Sequence, residues 1–260
     1  MLRAPLDVAK ARILLSNDDG IHATGLETLE RIARSLSDDV WVVGPEAEQS
    51  GASHSLTIRH PLRVRRVGER RFAVDGTPTD SVLLAVRLIL KDHPPDLVLS
   101  GVNRGGNLGE DVTYSGTIAA AIEGTLMGLP SIALSQLTDD SGPTKWATSE
   151  RHAPDLIRKL VSVTWPRNVY LNVNFPNVPA DAVAGVQVTI QGRRKLGDQL
   201  VERRDPRGRR YYWIGPLREE EPTRPETDLA AVNAGAISVT PLHLDLTHEP
   251  MIGTLKAALA

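Results

Sequence analysis

An α/β fold, with a mostly parallel sheet and helices on both of its faces, is what this sequence predicts. Three observations carry the prediction. Short apolar runs alternate with amphipathic helical stretches through the first two thirds of the chain, glycine and proline punctuate the changes, and 260 residues at 41% hydrophobic content suffice for one large core. The repeating strand-helix order implies parallel strands joined by right-handed crossovers. One main domain with an appendage is expected, not two equal domains.

The elements follow in order. RILLS at 12–16 reads as a buried strand, and GLETLERIARSL places Leu26, Leu29, Ala33 and Leu36 on one helical face. VWVVGP at 40–45 is a second strand, and LRVRRV with RRFAV forms a hairpin around Gly68 and Glu69 that extends the sheet or lies against it. In TPTDSVLLAVRLIL, Thr77 is the expected N-cap, Pro78 takes the first helical position and Asp80 falls in the first turn. The Pro94–Pro95 pair stops that helix.

PDLVLSG at 95–101 is the third apolar strand, TIAAAIEGTLMG at 117–128 the following helix and SIALS at 131–135 the next strand. The segment 145–163 reads as helical, with Pro154 interrupting or delimiting it. VYLNVNFP and VQVTI add two strands. GRRKLGDQLVERRDPRGRRYYWIG, 192–215, is dense in arginine and turn residues and then aromatic, so it reads as an exposed hairpin or arm. A solvated loop, an oligomerisation arm and a ligand-side lid are all compatible with that pattern. The tail AISVTPLHLDL returns to the main sheet.

Composition narrows the function classes. A formal net charge of −2 gives no electrostatic reason to expect a nucleic-acid polymer as partner. The absence of cysteine excludes thiolate nucleophiles and cysteine-ligated zinc and fits a reducing compartment. No apolar stretch reaches membrane-spanning length, so the expectation is a cytoplasmic protein with no membrane partner.

In an open parallel sheet, ligands bind beyond the carboxyl ends of the strands. Three loops there are unusual: SNDDG at 16–20, GPEAEQSGASHS at 44–55 and SGVNRGGNLGEDVTYSGT at 100–117. Asp18 and Asp19 are adjacent like charges, each raising the other's pKa unless a cation offsets them. Neighbours in a regular strand face opposite ways, so the pair converges only where Gly20 lets the chain break into a loop. Two carboxylates with neutral oxygens from Ser50 and Asn103 suit a hard divalent cation, Mg²⁺ or Mn²⁺, while no HExxH spacing supports zinc. The alternative is that the pair merely caps a helix and a turn.

No dinucleotide fingerprint, Walker A loop or GxSxG elbow occurs. The glycine-rich run through Tyr114, Ser115, Gly116 and Thr117 into a helix nevertheless offers N–H groups and hydroxyls to a phosphate. His22 and His54 are candidate acids or supporting donors, Asp75 and Asp80 flank a turn and helix start, and Glu110 with Asp111 reads as solvated. Hydrolysis by a metal-activated water is the favoured chemistry. A receiver-type phospho-acceptor domain would need an Asp at the end of the third strand, where Ser100 and Gly101 stand. A non-catalytic nucleotide-binding module stays open.

Together ILLSNDDG, the QSG of EQSGASHSLT, GTPTD at 76–80 and SGVNRGGNLGEDVTYSGT resemble the SurE (survival protein E) family of metal-dependent 5′/3′-nucleotidases. The resemblance continues through NVNFP, DPRGRRYYWIG and TDLAAVNAGAISVTPLHLDLT, nearly the whole chain. It implies a phosphomonoesterase acting on nucleoside monophosphates. One divalent ion per subunit is implied on Asp18, Asp19, Ser50 and Asn103, with phosphate contacts from Asn107, Ser115, Gly116 and Thr117. Asp18 and Asp19 are the implied catalytic pair. It also implies a Rossmann-like core, 1–192 plus 236–260, and an arm at 193–235 packed between subunits of a homodimer or homotetramer. Two departures are HATG at 22–25, where HAPG is common, and the Asp before GTPTD. The first ten residues read as a frayed tail.

Overall fold

The computed structural model describes residues 5–139, 142–196, 200–214, 218–220 and 224–260. Its strands are β1 (Ile13–Ser16), β2 (Val40–Pro45), β3 (Val64–Gly68), β4 (Arg71–Val74), β5 (Leu97–Arg104), β6 (Ser131–Gln136), β7 (Val169–Phe175), β8 (Val186–Val188), β9 (Arg194–Leu196), β10 (Leu200–Arg204), β11 (Arg210–Ile214), β12 (Arg218–Glu220) and β13 (Ile237–His243). The helices are α1 (Thr24–Arg34), α2 (Pro78–Leu84), α3 (Gly116–Leu126), α4 (Trp146–Val161), α5 (Asp228–Asn233) and α6 (Glu249–Ala258).

Nine strands form one sheet in the order β3-β4-β2-β1-β5-β6-β7-β13-β8. The interior pairs β4–β2–β1–β5–β6–β7 are all parallel. The tail strand β13 does rejoin the sheet, but antiparallel to β7. Helices cover both faces. Ile13 and Leu15 point to a core shared with Leu29, Ile32, Leu156 and Ile157 of α1 and α4, while Leu14 points to Val82 of α2 and Ala120 of α3. Each such fully buried Leu or Ile stabilises the fold by about 1.5–3 kcal/mol, which is why an uninterrupted apolar strand needs helices on both sides.

Local signals explain most boundaries. Thr77 and Asp80 form a reciprocal capping box, with the Asp80 N–H donating to Thr77 Oγ1 (3.1 Å) and the Thr77 N–H to Asp80 Oδ2 (2.9 Å). Past Leu84 the chain continues through a π-helical turn, Ala85–Ile89. Pro154 neither interrupts nor delimits α4, which runs straight through it. Buried Ala153, Leu156 and Ile157 and the paired hydrogen bonds from Arg31 to Glu150 hold the helix against the roughly 3 kcal/mol that an interior proline costs. The expected frayed start is ordered from residue 5. Leu6 N–H donates to the Val161 carbonyl (3.1 Å), and Leu6 and Val8 pack on the core; residues 1–4 lie outside the described residues.

In the arginine-rich segment β10 pairs antiparallel with β11 and β9 with β12. Parts of that segment, 197–199, 215–217 and 221–223, lie outside the described residues. Downstream, Leu229 and Val232 of α5 pack on Leu108, beside the glycine-rich loop. Among the described residues no helix is long and apolar enough to cross a membrane.

Candidate active site

The strand order reverses direction at β1, which has β2 on one side and β5 on the other. Ligands gather at such a switch point, beyond the strands' carboxyl ends. There the structure opens a cleft of about 640 Å³ lined by Asp18, Asp19, Ser50, Asn103, Asn107 and Ser115, among others. Residues from all three unusual loops therefore converge on one place.

Asp18 and Asp19 follow β1 on a bend held by Asn17, whose Nδ2 donates to the Gly20 carbonyl (2.9 Å), with Gly20 at φ +101°. The Gln49 N–H donates to the Asp18 carbonyl (2.8 Å), tying the Ser50 loop to this bend. The Asp18 side chain is 4% exposed and meets the start of α3. Thr117 Oγ1 donates to its Oδ1, and the N–H groups of Thr117 and Gly116 support the carboxylate further. A helix N-terminus is a favourable place for that charge. Burial nevertheless outweighs these donors and raises the Asp18 pKa.

Asp19 is half-buried on the cleft wall. Burial first, then the charge of Asp18, push its pKa up to about 6, with Glu48 adding to the rise and the Arg104 N–H opposing it. Two adjacent carboxylates both held above their ordinary range are a site short of positive charge.

Asn103 and Arg104 end β5, which is longer than the strand expected at 95–101 because its pairing with β6 slips between Ser100 and Asn103. Such an irregularity re-aims the side chains that follow it. Asn103 Nδ2 donates to the Gly105 carbonyl (2.8 Å), and its Oδ1 has no partner among the described residues. Ser50 Oγ donates to Glu48 Oε1 (2.8 Å), leaving lone pairs for another contact. The donor set on the cleft, two carboxylates, one amide oxygen and one hydroxyl, fits a hard divalent cation. Among the described residues no group of three or more His, Cys, Asp or Glu side chains could hold a metal, so any cation here depends on the neutral oxygens.

Asn107 is locked in place. Its N–H donates to Asn174 Oδ1 (2.8 Å), its Nδ2 to Ser135 Oγ (2.8 Å), and its carbonyl accepts from Nδ2 of Asn172 (2.8 Å) and Asn174 (3.1 Å). Ser115 caps α3, accepting from the Ile118 N–H (3.1 Å). Gly116 and Thr117 do not line the cleft themselves but sit behind Asp18.

Other residues take different places. Asp111 is not solvated: it is buried and paired with Arg194, whose N–H also donates to Glu110 Oε2. Asp228 accepts from the N–H of Gly109 (2.9 Å) and of Gly192 (2.8 Å), anchoring the same turn. His54 bonds Glu123 of α3 (Nε2 to Oε2, 3.0 Å) and lies off the cleft, as does exposed His22. Asp75 holds the Arg63 N–H, and Asp80, besides capping α2, accepts from the Thr57 N–H (3.0 Å). Sequence reasoning passed over Asn172, Asn174 and Arg104. The asparagines' alternate spacing in VYLNVNF was their one local signal.

The family model described as Survival protein SurE matches residues 13–198. The protein named 5′-nucleotidase SurE of Paramagnetospirillum magneticum is 62% identical over 252 residues, 97% of each chain. That of Rhodospirillum rubrum is 57% identical over 255 residues, again 97% of each. Among solved structures, the SurE protein of Aquifex aeolicus superposes with a TM-score of 0.83 at 41% identity, over 95% of this chain and 99% of that one.

Proposed function

This chain belongs to the SurE family, and on that premise we propose that it is a divalent-metal-dependent phosphomonoesterase that hydrolyses 5′- and also 3′-nucleoside monophosphates to nucleoside and phosphate. Nucleotidase activity follows from near-full-length identity of 57% and 62% to relatives named for it. The carrying observation for the metal is the pair Asp18 and Asp19, both raised in pKa on one cleft with the partnerless Asn103 Oδ1 beside them.

In this reading Asp18, Asp19, Ser50 and Asn103 hold one Mg²⁺ or Mn²⁺. When bound, such an ion supplies Lewis-acid stabilisation of charge on the phosphoryl group. Asp18, fixed by Thr117 and the start of α3, is the rigid ligand. Asp19, the more exposed, orients the attacking water. Asn107 and Ser115 face the phosphate side, Gly116 and Thr117 act from behind by holding Asp18, and the buried Asn172–Asn174 pair keeps Asn107 from shifting when charge builds up. Self-association through the arm at 193–235, with the remainder as a Rossmann-like core, and cytoplasmic residence belong to the same proposal. Aromatic Tyr212 and Trp213 exposed on β11 support the first, and the lack of cysteine the second.

Phosphate release from a panel of 5′- and 3′-nucleoside monophosphates, with Mg²⁺ or Mn²⁺ and with excess chelator, tests the reading. Release that needs the ion and disappears in Asp18→Asn is expected. Release that survives the chelator overturns metal dependence, and none under any ion leaves a binding module.

A further inference from the structure

Among the described residues four carboxylates line the cleft, those of Asp18, Asp19, Glu48 and Asp111, against one basic side chain, Arg104. Asp111 is answered by the buried Arg194, which does not line the cleft. That leaves Asp18, Asp19 and Glu48, and a divalent ion would still leave their sum at −1. A phosphomonoester dianion needs a positive contact there, and Arg104 is the cleft residue with one to offer.

Arg104 is the last residue of β5 and directly follows Asn103. Its backbone is fixed, in register with Gln136 of β6 and with its N–H toward Asp19. The guanidinium, by contrast, is exposed and makes no hydrogen bond or ion pair with any described residue. Most other arginines near the sheet are engaged: Arg12 and Arg70 with Asp39, Arg65 with Glu46, and Arg71 with Glu30. Asp19 accepts from the Arg104 backbone N–H and feels the charge of its guanidinium without a hydrogen bond to that group. A guanidinium held on a rigid strand end yet left without a partner is a planar fork open to two oxygens of one phosphate.

We propose that Arg104 binds the substrate's phosphoryl group as a cationic clamp opposite the Asp18–Asp19 pair, selecting the terminal, dianionic phosphomonoester. This rests on the nucleotidase reading for its substrate but not for its phosphate. The competing role, simple charge balance for Asp19, predicts a different pattern. Removing a cation that only balances Asp19 changes cation affinity and leaves phosphate affinity alone.

The test compares the full-length protein with Arg104→Gln and Arg104→Lys. Calorimetry gives the Kd for Mg²⁺ and, with Mg²⁺ present, for inorganic phosphate; steady-state assays give KM and kcat on nucleoside monophosphates. Arg104→Gln is expected to weaken phosphate binding by about 10- to 100-fold, the range of a charge-assisted contact, and to raise KM similarly. Mg²⁺ affinity is expected to hold or tighten, and Arg104→Lys to recover part of the loss. Phosphate affinity unchanged within about twofold in Arg104→Gln, or no phosphate binding by the unaltered protein, overturns the clamp. If no nucleotide is hydrolysed, the nucleotidase reading falls while the phosphate titration still decides Arg104.

Discussion

Asp18 occupies the space that a side chain on residue 116 would need: a Cβ added to Gly116 would lie 2.6 Å from Asp18 Cβ and 2.9 Å from its Oδ2. The first turn of α3 is thereby pressed against a buried carboxylate, and the helix start and the acid define each other's position. Gly116→Ala must push Asp18 out of place. We expect a loss of about 1–3 kcal/mol of stability from overpacking and at least a tenfold loss of divalent-cation affinity. Thermal melts and cation titration check both; an unmoved cation affinity would show that the contact does not place Asp18.

Removing the charge of Asp19 is expected to stabilise the metal-free protein. Its pKa rises from an ordinary 3.8 to about 6 on folding, so between those values the native state binds more protons than the unfolded chain. Stability from this group therefore falls as pH rises through that window and stays reduced above it. At pH 8, Asp19→Asn should raise stability by about 1–3 kcal/mol, at pH 3.5 by little, and the variant should lose the thermal shift that Mg²⁺ or Mn²⁺ confers. Urea melts at the two pH values measure the difference. In the unaltered protein the same logic makes cation binding strengthen as pH climbs through about 6, because the ion must displace the proton.

The ion pair between Asp111 and Arg194 joins the turn after the glycine-rich loop to the base of the arginine-rich segment, with both side chains buried. Breaking one half leaves an uncompensated buried charge, whereas replacing both can be nearly neutral. Arg194→Met should cost about 3–5 kcal/mol and lower kcat, and Asp111→Leu added to it should return most of the stability. Equal losses in the single and double variants by urea denaturation would show that the two charges are not coupled.

How much of this was legible in the sequence depends on the range of the interaction. The parallel interior follows from periodicity, the N-cap at Thr77 from residue type, and the convergence of Asp18, Ser50 and Asn103 from the rule that ligands sit beyond strand ends. Pro154 misled because a local penalty was outweighed by burial of Ala153, Leu156 and Ile157. Asp111 reads as solvated because the arginine that buries it stands 83 residues away. The extension of β5 to Arg104 was hidden by Gly101, a breaker that the sheet absorbs by slipping register. Gly116 and Thr117 look like open anion donors in the sequence, and only packing shows that Asp18 already sits against them.

Asn174 tests whether the buried asparagines serve the site or only the core. Its Oδ1 accepts the Asn107 N–H and its Nδ2 donates to the Asn107 carbonyl and to Asn172 Oδ1 (3.3 Å), so a single amide holds both backbone polar groups of Asn107. Asn174→Asp keeps the acceptor but loses the donor and places a charge at a position with no exposure. It should destabilise by several kcal/mol. Asn174→Ala removes both contacts to Asn107 without adding charge and should cost about 2–3 kcal/mol, leaving the Asn107 N–H without its acceptor and its carbonyl held by Asn172 alone. If the network orients Asn107 toward the phosphate, Asn174→Ala should raise KM and the Kd for inorganic phosphate severalfold while the Mg²⁺ affinity set by Asp18 and Asp19 stays unchanged. Calorimetry with both ligands separates the two: a fall in stability with phosphate affinity intact would assign Asn174 to the core alone.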